Sequence, residues 1–199
     1  MKQLLIAFMS LFLSIPSGKS QNMCGVYKTA NDLKYQQFNI TADRQTKGHA
    51  IEVSNFFLRP YIYIHTGGKK IKIPMDSIYA LKQYDEKIYR IWQRKCYQLI
   101  DSSFLLIFSY KNRITKMIPT SRSARPVTVT QREYYFCCDY SEPLIPLTPD
   151  NILLALHADK PLSKAIHQRF RNQQELIETK QAQQTSINLF LKNYKQQER

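Results

Sequence analysis

From about residue 26 to residue 138, apolar and polar positions alternate in short runs, the period of half-buried β-strands. Residues 49–58 (HAIEVSNFFL) read as a strand ending at Pro60. In YIYIHTGGKKIKIP two alternating runs flank Gly67 and Gly68, and a Gly-Gly centre supplies the positive φ angles of a tight hairpin turn. SIYALKQYD and EKIYRIWQ form a second hairpin turning near Asp85 and Glu86, and KCYQLIDSSFLLIFSY a third turning at residues 101–103. QREYYFCC reads as the last strand. One phase of these runs places Ile71, Ile73, Ile91, Leu99, Leu105, Ile107 and Phe136 in the core.

The period changes after Pro143, Pro146 and Pro149. Thr148 caps a short helix that has Pro149 at its first position and Asp150 in its first turn. Asp159 caps the next helix, where Leu162, Ile166 and Phe170 make one apolar stripe, and Ile187, Phe190, Leu191 and Tyr194 repeat the pattern near the end. The Gln-rich stretch between them holds no helix breaker, so residues 160–197 read as largely helical. The expected fold class is therefore α+β: an antiparallel β-meander, curled into a partial barrel or two layers, followed by C-terminal helices. In domain terms, residues 1–20 are a signal peptide, 21–142 an antiparallel β domain, and 143–199 a helical segment packed in part on the sheet.

The signal reading rests on the first twenty residues. Lys2 gives a positive start, residues 4–15 an apolar block, Pro16 a break, and Gly18 and Ser20 the small residues a signal peptidase reads, leaving Gln21 first in the mature chain. The block is shorter than the roughly 20 apolar residues of a membrane span. A lipid on Cys24 would need a lipobox, and QNMC lacks its usual Leu and small residues. The expected location is periplasmic, cell-surface or secreted, with no transmembrane segment in the mature chain.

Export bears on the cysteines, because disulfides persist outside the cytoplasm. Cys24, Cys96, Cys137 and Cys138 allow three pairings into two bridges. If residues 132–138 are a strand, Tyr134, Phe136 and Cys138 share one face, and Tyr135 and Cys137 the other. The adjacent thiols are then separated by the sheet. One reads as a small buried hydrophobe and the other as an edge or loop residue, with a bridge to Cys24 or Cys96 as the alternative.

Formal net charge is +14, and removing Lys2 and Lys19 with the signal leaves 14 − 2 = +12. Such a balance suits nucleic acid, anionic lipid or an acidic partner, and export disfavours nucleic acid. The richest basic tract is residues 110–132, with Lys111, Arg113, Lys116, Arg122 and Arg125 and no acid between Asp101 and Glu133. Ser, Thr, Pro119 and Pro126 fill the rest, so the tract reads as a long loop. It is either a solvated loop or an anion-binding surface. Lys70 and Lys72, near Tyr61 and Tyr63, read as guards of an edge strand or as a basic-aromatic platform.

Enzyme signals are absent from the sequence. His49, His65, His157 and His167 fall in no HExxH pattern and no cysteines form CxxC. No nucleophile elbow or phosphate-binding glycine loop occurs. No metal or cofactor is expected and no catalytic residue is assigned.

CGVYKTANDL, DSIYALK, EKIYRIW, YYFCC and the closing PLTPDNILLAL together resemble small exported proteins of Bacteroidota that have no assigned function. The resemblance spans most of the mature chain. Its motifs are structural, so it implies a Gram-negative periplasmic or cell-surface location and no active site. The resulting expectation is an exported, non-enzymatic β-rich protein that binds a protein or an anionic envelope surface through the basic tract or the C-terminal helix. The alternative is a hydrolase whose site the sequence does not display.

Overall fold

The computed structural model describes residues 23–43, 50–54, 60–119, 123–181 and 184–197. The expected signal peptide, Arg122, His49 and residues 55–58 lie outside the described residues.

Eight strands form one open antiparallel sheet. In chain order these are β1 (Cys24–Tyr27), β2 (Ile40–Ala42), β6 (Ala80–Lys82), β7 (Ile88–Trp92), β8 (Lys95–Asp101), β9 (Leu106–Pro119), β10 (Ala124–Cys137) and β11 (Ile145–Pro146). Their spatial order is β11-β10-β9-β8-β7-β6-β1-β2. From β6 to β10 this is a meander in which each strand pairs with the next, and β1 closes against β6. A second sheet has the order β3-β4-β5, with β3 at Ile51–Ser54, β4 at Tyr61–Thr66 and β5 at Lys69–Pro74. The Gly-Gly hairpin joins β4 to β5, with φ of +57° at Gly67 and +70° at Gly68.

Strand periodicity sorts the core onto the two faces of the large sheet. On the first face, Cys24, Val26, Leu81 and Ile91 pack with Ile51, Ile62 and Ile64 of the small sheet. Farther along that face, Leu105, Ile107 and Phe136 pack under the C-terminal helices through Ile152, Ile166, Phe170, Leu176, Ile187 and Leu191. The second face carries Tyr97, Phe108 and Cys137, and also Tyr27 and Ala80. It is covered by the short helix α1 (Ala30–Lys34) through Leu33, and by Tyr140 and Leu144. Thus the fold is α+β with a curled, unclosed sheet, as the alternation indicates.

The residues expected in the core divide by strand position. Ile91, Leu105, Ile107 and Phe136 are buried, whereas Ile73 and Leu99 are half-buried. Ile71 is 39% exposed, contrary to expectation, because β5 is the edge of the small sheet and its inward face has cover on one side only.

The C-terminal region also departs from the expected continuous helix. Helices α2 (Pro149–Ala155) and α3 (Lys160–Arg169) start at Thr148 and Asp159, whose side chains accept from Asn151 N and Leu162 N. Beyond Phe170 the chain turns. Asn172 caps a new helix, α4 (Gln173–Ile177), by accepting from Glu175 N at 3.1 Å. A small hairpin follows, β12 (Thr179–Gln181) with β13 (Gln184–Thr185), and then α5 (Ser186–Gln197). Two buried polar residues fasten this end to the sheet. Asp101 accepts from Thr185 N at 2.7 Å and Thr185 Oγ1 at 2.9 Å, and Asn188 bonds both Leu105 N and Leu105 O at 2.9 Å. Burial pushes the Asp101 carboxyl up, but bonds from Thr185, Ser103 and Asn188 outweigh it and hold the group below its usual 3.8.

All four described cysteines are free thiols. Phe136 and Cys138 pack in the core beneath the helices, while Tyr135 and Cys137 pack on the opposite face. The adjacent pair is divided by the sheet.

Candidate anion-binding ribbon

The basic tract at residues 110–132 is not a loop. It forms the outer part of a two-stranded ribbon in which β9 and β10 pair from Cys137↔Leu106 out to Ala124↔Pro119. β-Branched residues explain the strand: Val127, Thr128, Val129 and Thr130 alternate opposite Ile114 and Thr115. Among the described residues no third strand flanks the outer ribbon, and strands with such free edges tolerate proline. β10 meets β11 only at Tyr135 and Phe136, and β9 meets β8 no farther out than Ser109.

A pleated ribbon has two faces, and they divide the expected anion-binding residues. Lys111 and Arg113 lie on one face, where Arg132 is directly opposite Lys111. Lys116 and Arg125 lie on the other, opposite Val127 and Ile118. The five were expected to be presented together. Four are instead split two and two by strand parity, and the fifth, Arg122, is outside the described residues. No ion pair engages Lys111, Arg113, Lys116, Arg125 or Arg132 among the described residues.

The face with Lys116 and Arg125 also presents Ile118, Val127 and Val129, with exposures of 46%, 39% and 39%. Met117, at 61%, lies on the reverse. These apolar side chains are thus clustered on one face of the outer ribbon, Ile118 across from Arg125 and Val127 across from Lys116. The signal for it was present in the sequence as ITKMI facing PVTV, an alternation too short and too polar to bury anything.

At the ribbon's root lies a cleft of about 520 Å³ lined by Val53, Leu81, Gln83, Tyr89, Lys95, Cys96, Lys111 and Arg113 among others. No Asp, Glu or His is among its described lining residues. A hydrolase working through a covalent intermediate needs a nucleophile beside a general base. Cys96 is the only thiol in the cleft, and burial pushes it up to about 11.

The remaining expected features are dispersed. Nζ of Lys72 sits 3.8 Å from the Tyr61 ring centroid, and Nζ of Lys70 sits 4.6 Å from that of Tyr63 while pairing with Glu52 at 2.8 Å. Lysines therefore cover the rings that a base would stack on. His65 lies 3.6 Å from Glu52, and His167 lies 3.6 Å from Asp150 on the helical side. Among the described residues no three His, Cys, Asp or Glu side chains gather as a metal site. The chain matches no protein-family model, no curated protein and no solved structure in the three comparisons.

Proposed function

We propose that this is an exported, non-enzymatic binding protein whose β9–β10 ribbon engages an anionic surface of the cell envelope. The carrying observation is the ribbon itself. Its described part carries five cations without ion-pair partners, and two of them, Lys116 and Arg125, share a face with exposed Ile118, Val127 and Val129. Cations supply long-range attraction to a negative surface, and the apolar side chains supply short-range contact once there. This combination suits a membrane interface better than a second copy of the chain, whose ribbon would carry the same positive charge. The N-terminal pattern and the resemblance to exported proteins support the compartment.

The test is binding to vesicles of phosphatidylglycerol with phosphatidylcholine, against phosphatidylcholine alone, over a salt series. Lys116→Ser with Arg125→Ser should weaken binding to the anionic vesicles and leave the thermal midpoint unchanged, since exposed charges contribute little to folding. Equal binding by variant and parent at low salt would overturn the proposal. Salt-insensitive binding would instead point to an apolar protein interface.

A further inference from the structure

We infer that the cleft at the ribbon's root is a discrete site for an organic phosphate, separate from the surface contact made by the outer ribbon. The inference rests on how the cleft is made. Strands β8 and β9 pair through Leu99↔Phe108 and Gln98↔Ser109, and then their ladder stops. The first residues of β8 continue with β7 alone, through Arg90↔Tyr97, Ile91↔Cys96 and Trp92↔Lys95. From Tyr110 outward, β9 continues with β10 alone. Two adjacent strands thus part company, and the wedge between them is the cleft.

The wedge collects positive charge from both sides. Lys95 comes from β8, and Lys111 and Arg113 come from β9. Arg94 stands at the rim with its guanidinium on Asp76 at 3.0 Å. The acid nearest in the sheet is already committed: Glu133 accepts from Asn112 Nδ2 and from the Tyr135 hydroxyl, each at 2.9 Å. Lys95 Nζ is 5.0 Å from the Tyr110 ring centroid, and its charge also helps hold the Glu133 carboxyl below its usual range. Of the four cations lining the cleft, Lys111 and Arg113 therefore have no ion-pair partner, and none of its described lining residues is a carboxylate. A dianionic phosphate answers that imbalance better than a single carboxylate does.

Size fixes the remainder of the ligand. At about 520 Å³ the cleft falls in the range of small-molecule sites, several hundred Å³. That is more room than a bare phosphate fills. The surplus lies against Leu81, Val53 and Tyr89, which offer a wall for a sugar- or glycerol-sized body. Phosphorylated lipid headgroups and free sugar phosphates share this chemistry.

Two soluble probes, inorganic pyrophosphate and a hexose 1-phosphate, should be titrated into the full chain and followed by amide chemical shifts and calorimetry. Saturable binding with shifts centred on Cys96, Lys111 and Arg113 is expected. Lys111→Gln with Arg113→Gln should weaken it by about tenfold or more, the loss of charge-assisted hydrogen bonds. Lys116→Gln with Arg125→Gln should leave it within about twofold, because neither residue lines the cleft. No saturable binding of either probe, or an equal loss in both variants, would overturn the inference. A second arm distinguishes the source. Competition between the hexose phosphate and phosphatidic acid vesicles assigns the site to a lipid headgroup, and binding without competition assigns it to a free phosphate. Vesicle binding by the outer-ribbon variant is read independently, so the ribbon proposal and the cleft inference can fail separately.

Discussion

Arg90 Nη1 donates to the Cys137 sulfur at 3.2 Å, and no carboxylate pairs with that guanidinium among the described residues. The side chain is 1% exposed. Its charge is met instead by the Glu142 carbonyl, which accepts from Nη2, and by three rings: Tyr79 at 4.9 Å, Trp92 at 5.3 Å and Phe108 at 5.9 Å. Nε has no hydrogen-bond partner. A desolvated cation with partial compensation is costly, and the planar guanidinium reduces that cost by stacking on the rings. Arg90→Lys should destabilise the fold by about 3 kcal/mol, because an ammonium can neither stack nor reach both acceptors. Arg90→Met should cost less, since it removes the buried charge altogether. Denaturant unfolding checks the order, and a Lys variant more stable than the Met variant would contradict it.

The thiols should be slow to react in the native state. Cys96 and Cys137 are both pushed up to about 11, Cys96 by burial and Cys137 by burial against the opposing pull of Arg90. Burial also raises Cys24 and Cys138. At pH 8 little thiolate is present. Iodoacetamide should therefore modify the folded protein slowly and the denatured protein quickly. Rapid native labelling at Cys137 would mean that the second face of the sheet is open.

Asp101 sets an acid limit on the helical side. Its native carboxyl lies below the usual 3.8, so its contribution is complete above that value and is lost as pH falls through the lower, native one. Asp101→Asn should weaken the protein at pH 7 by about 1–3 kcal/mol, the cost of poorly satisfied buried donors at Thr185 and Ser103. The variant should also lose part of the parent's stability decline below about pH 4. Thermal midpoints from pH 2 to 7 measure both effects (an experimental range of roughly five units).

Gly25 is required by contact. A Cβ there would lie 2.5 Å from Ile40 O and 2.6 Å from Phe38 Cδ1. Since β1 pairs with β2 on that side, the backbone oxygen cannot yield without opening the ladder. Gly25→Ala should destabilise by about 2 kcal/mol, the usual scale of overpacking, as read from the denaturation midpoint.

The exposed apolar side chains of the ribbon should matter for binding and hardly for folding. Ile118→Ser with Val127→Ser should lower partition onto anionic vesicles while leaving the salt slope in place, because the cations remain. Stability should change by less than about 0.5 kcal/mol. A large fall in the thermal midpoint would show that this face is packed against the body.

What could be read in the sequence follows from burial. Hairpins with an apolar face and a turn residue, such as the one at Gly67 and Gly68, announce themselves because the core demands alternation. The β9–β10 ribbon buries little beyond Tyr110, so nothing forced its outer residues to be strongly apolar, and it looked like a loop. The C-terminal region misled in the opposite way. Its polar residues are all compatible with a helix, yet Asn172 found a better role as a cap, and Phe170 went into the core. The cleft was illegible for a different reason: Lys95 and Lys111 are distant in sequence, and only the parting of β8 from β9 brings them to one opening.

The ribbon's reach has a mechanical meaning. Beyond the cleft, residues 114–119 of β9 extend about 20 Å at a strand rise of ~3.4 Å per residue. That is more than twice the screening distance of about 8 Å at physiological salt. Seen from a charged plane touching the ribbon's end, Lys111 and Arg113 at its root and Lys95 on the body are largely screened. Under the proposed contact the ribbon is a boom that sets a stand-off height, and Lys95→Gln on the body should leave vesicle capture unchanged.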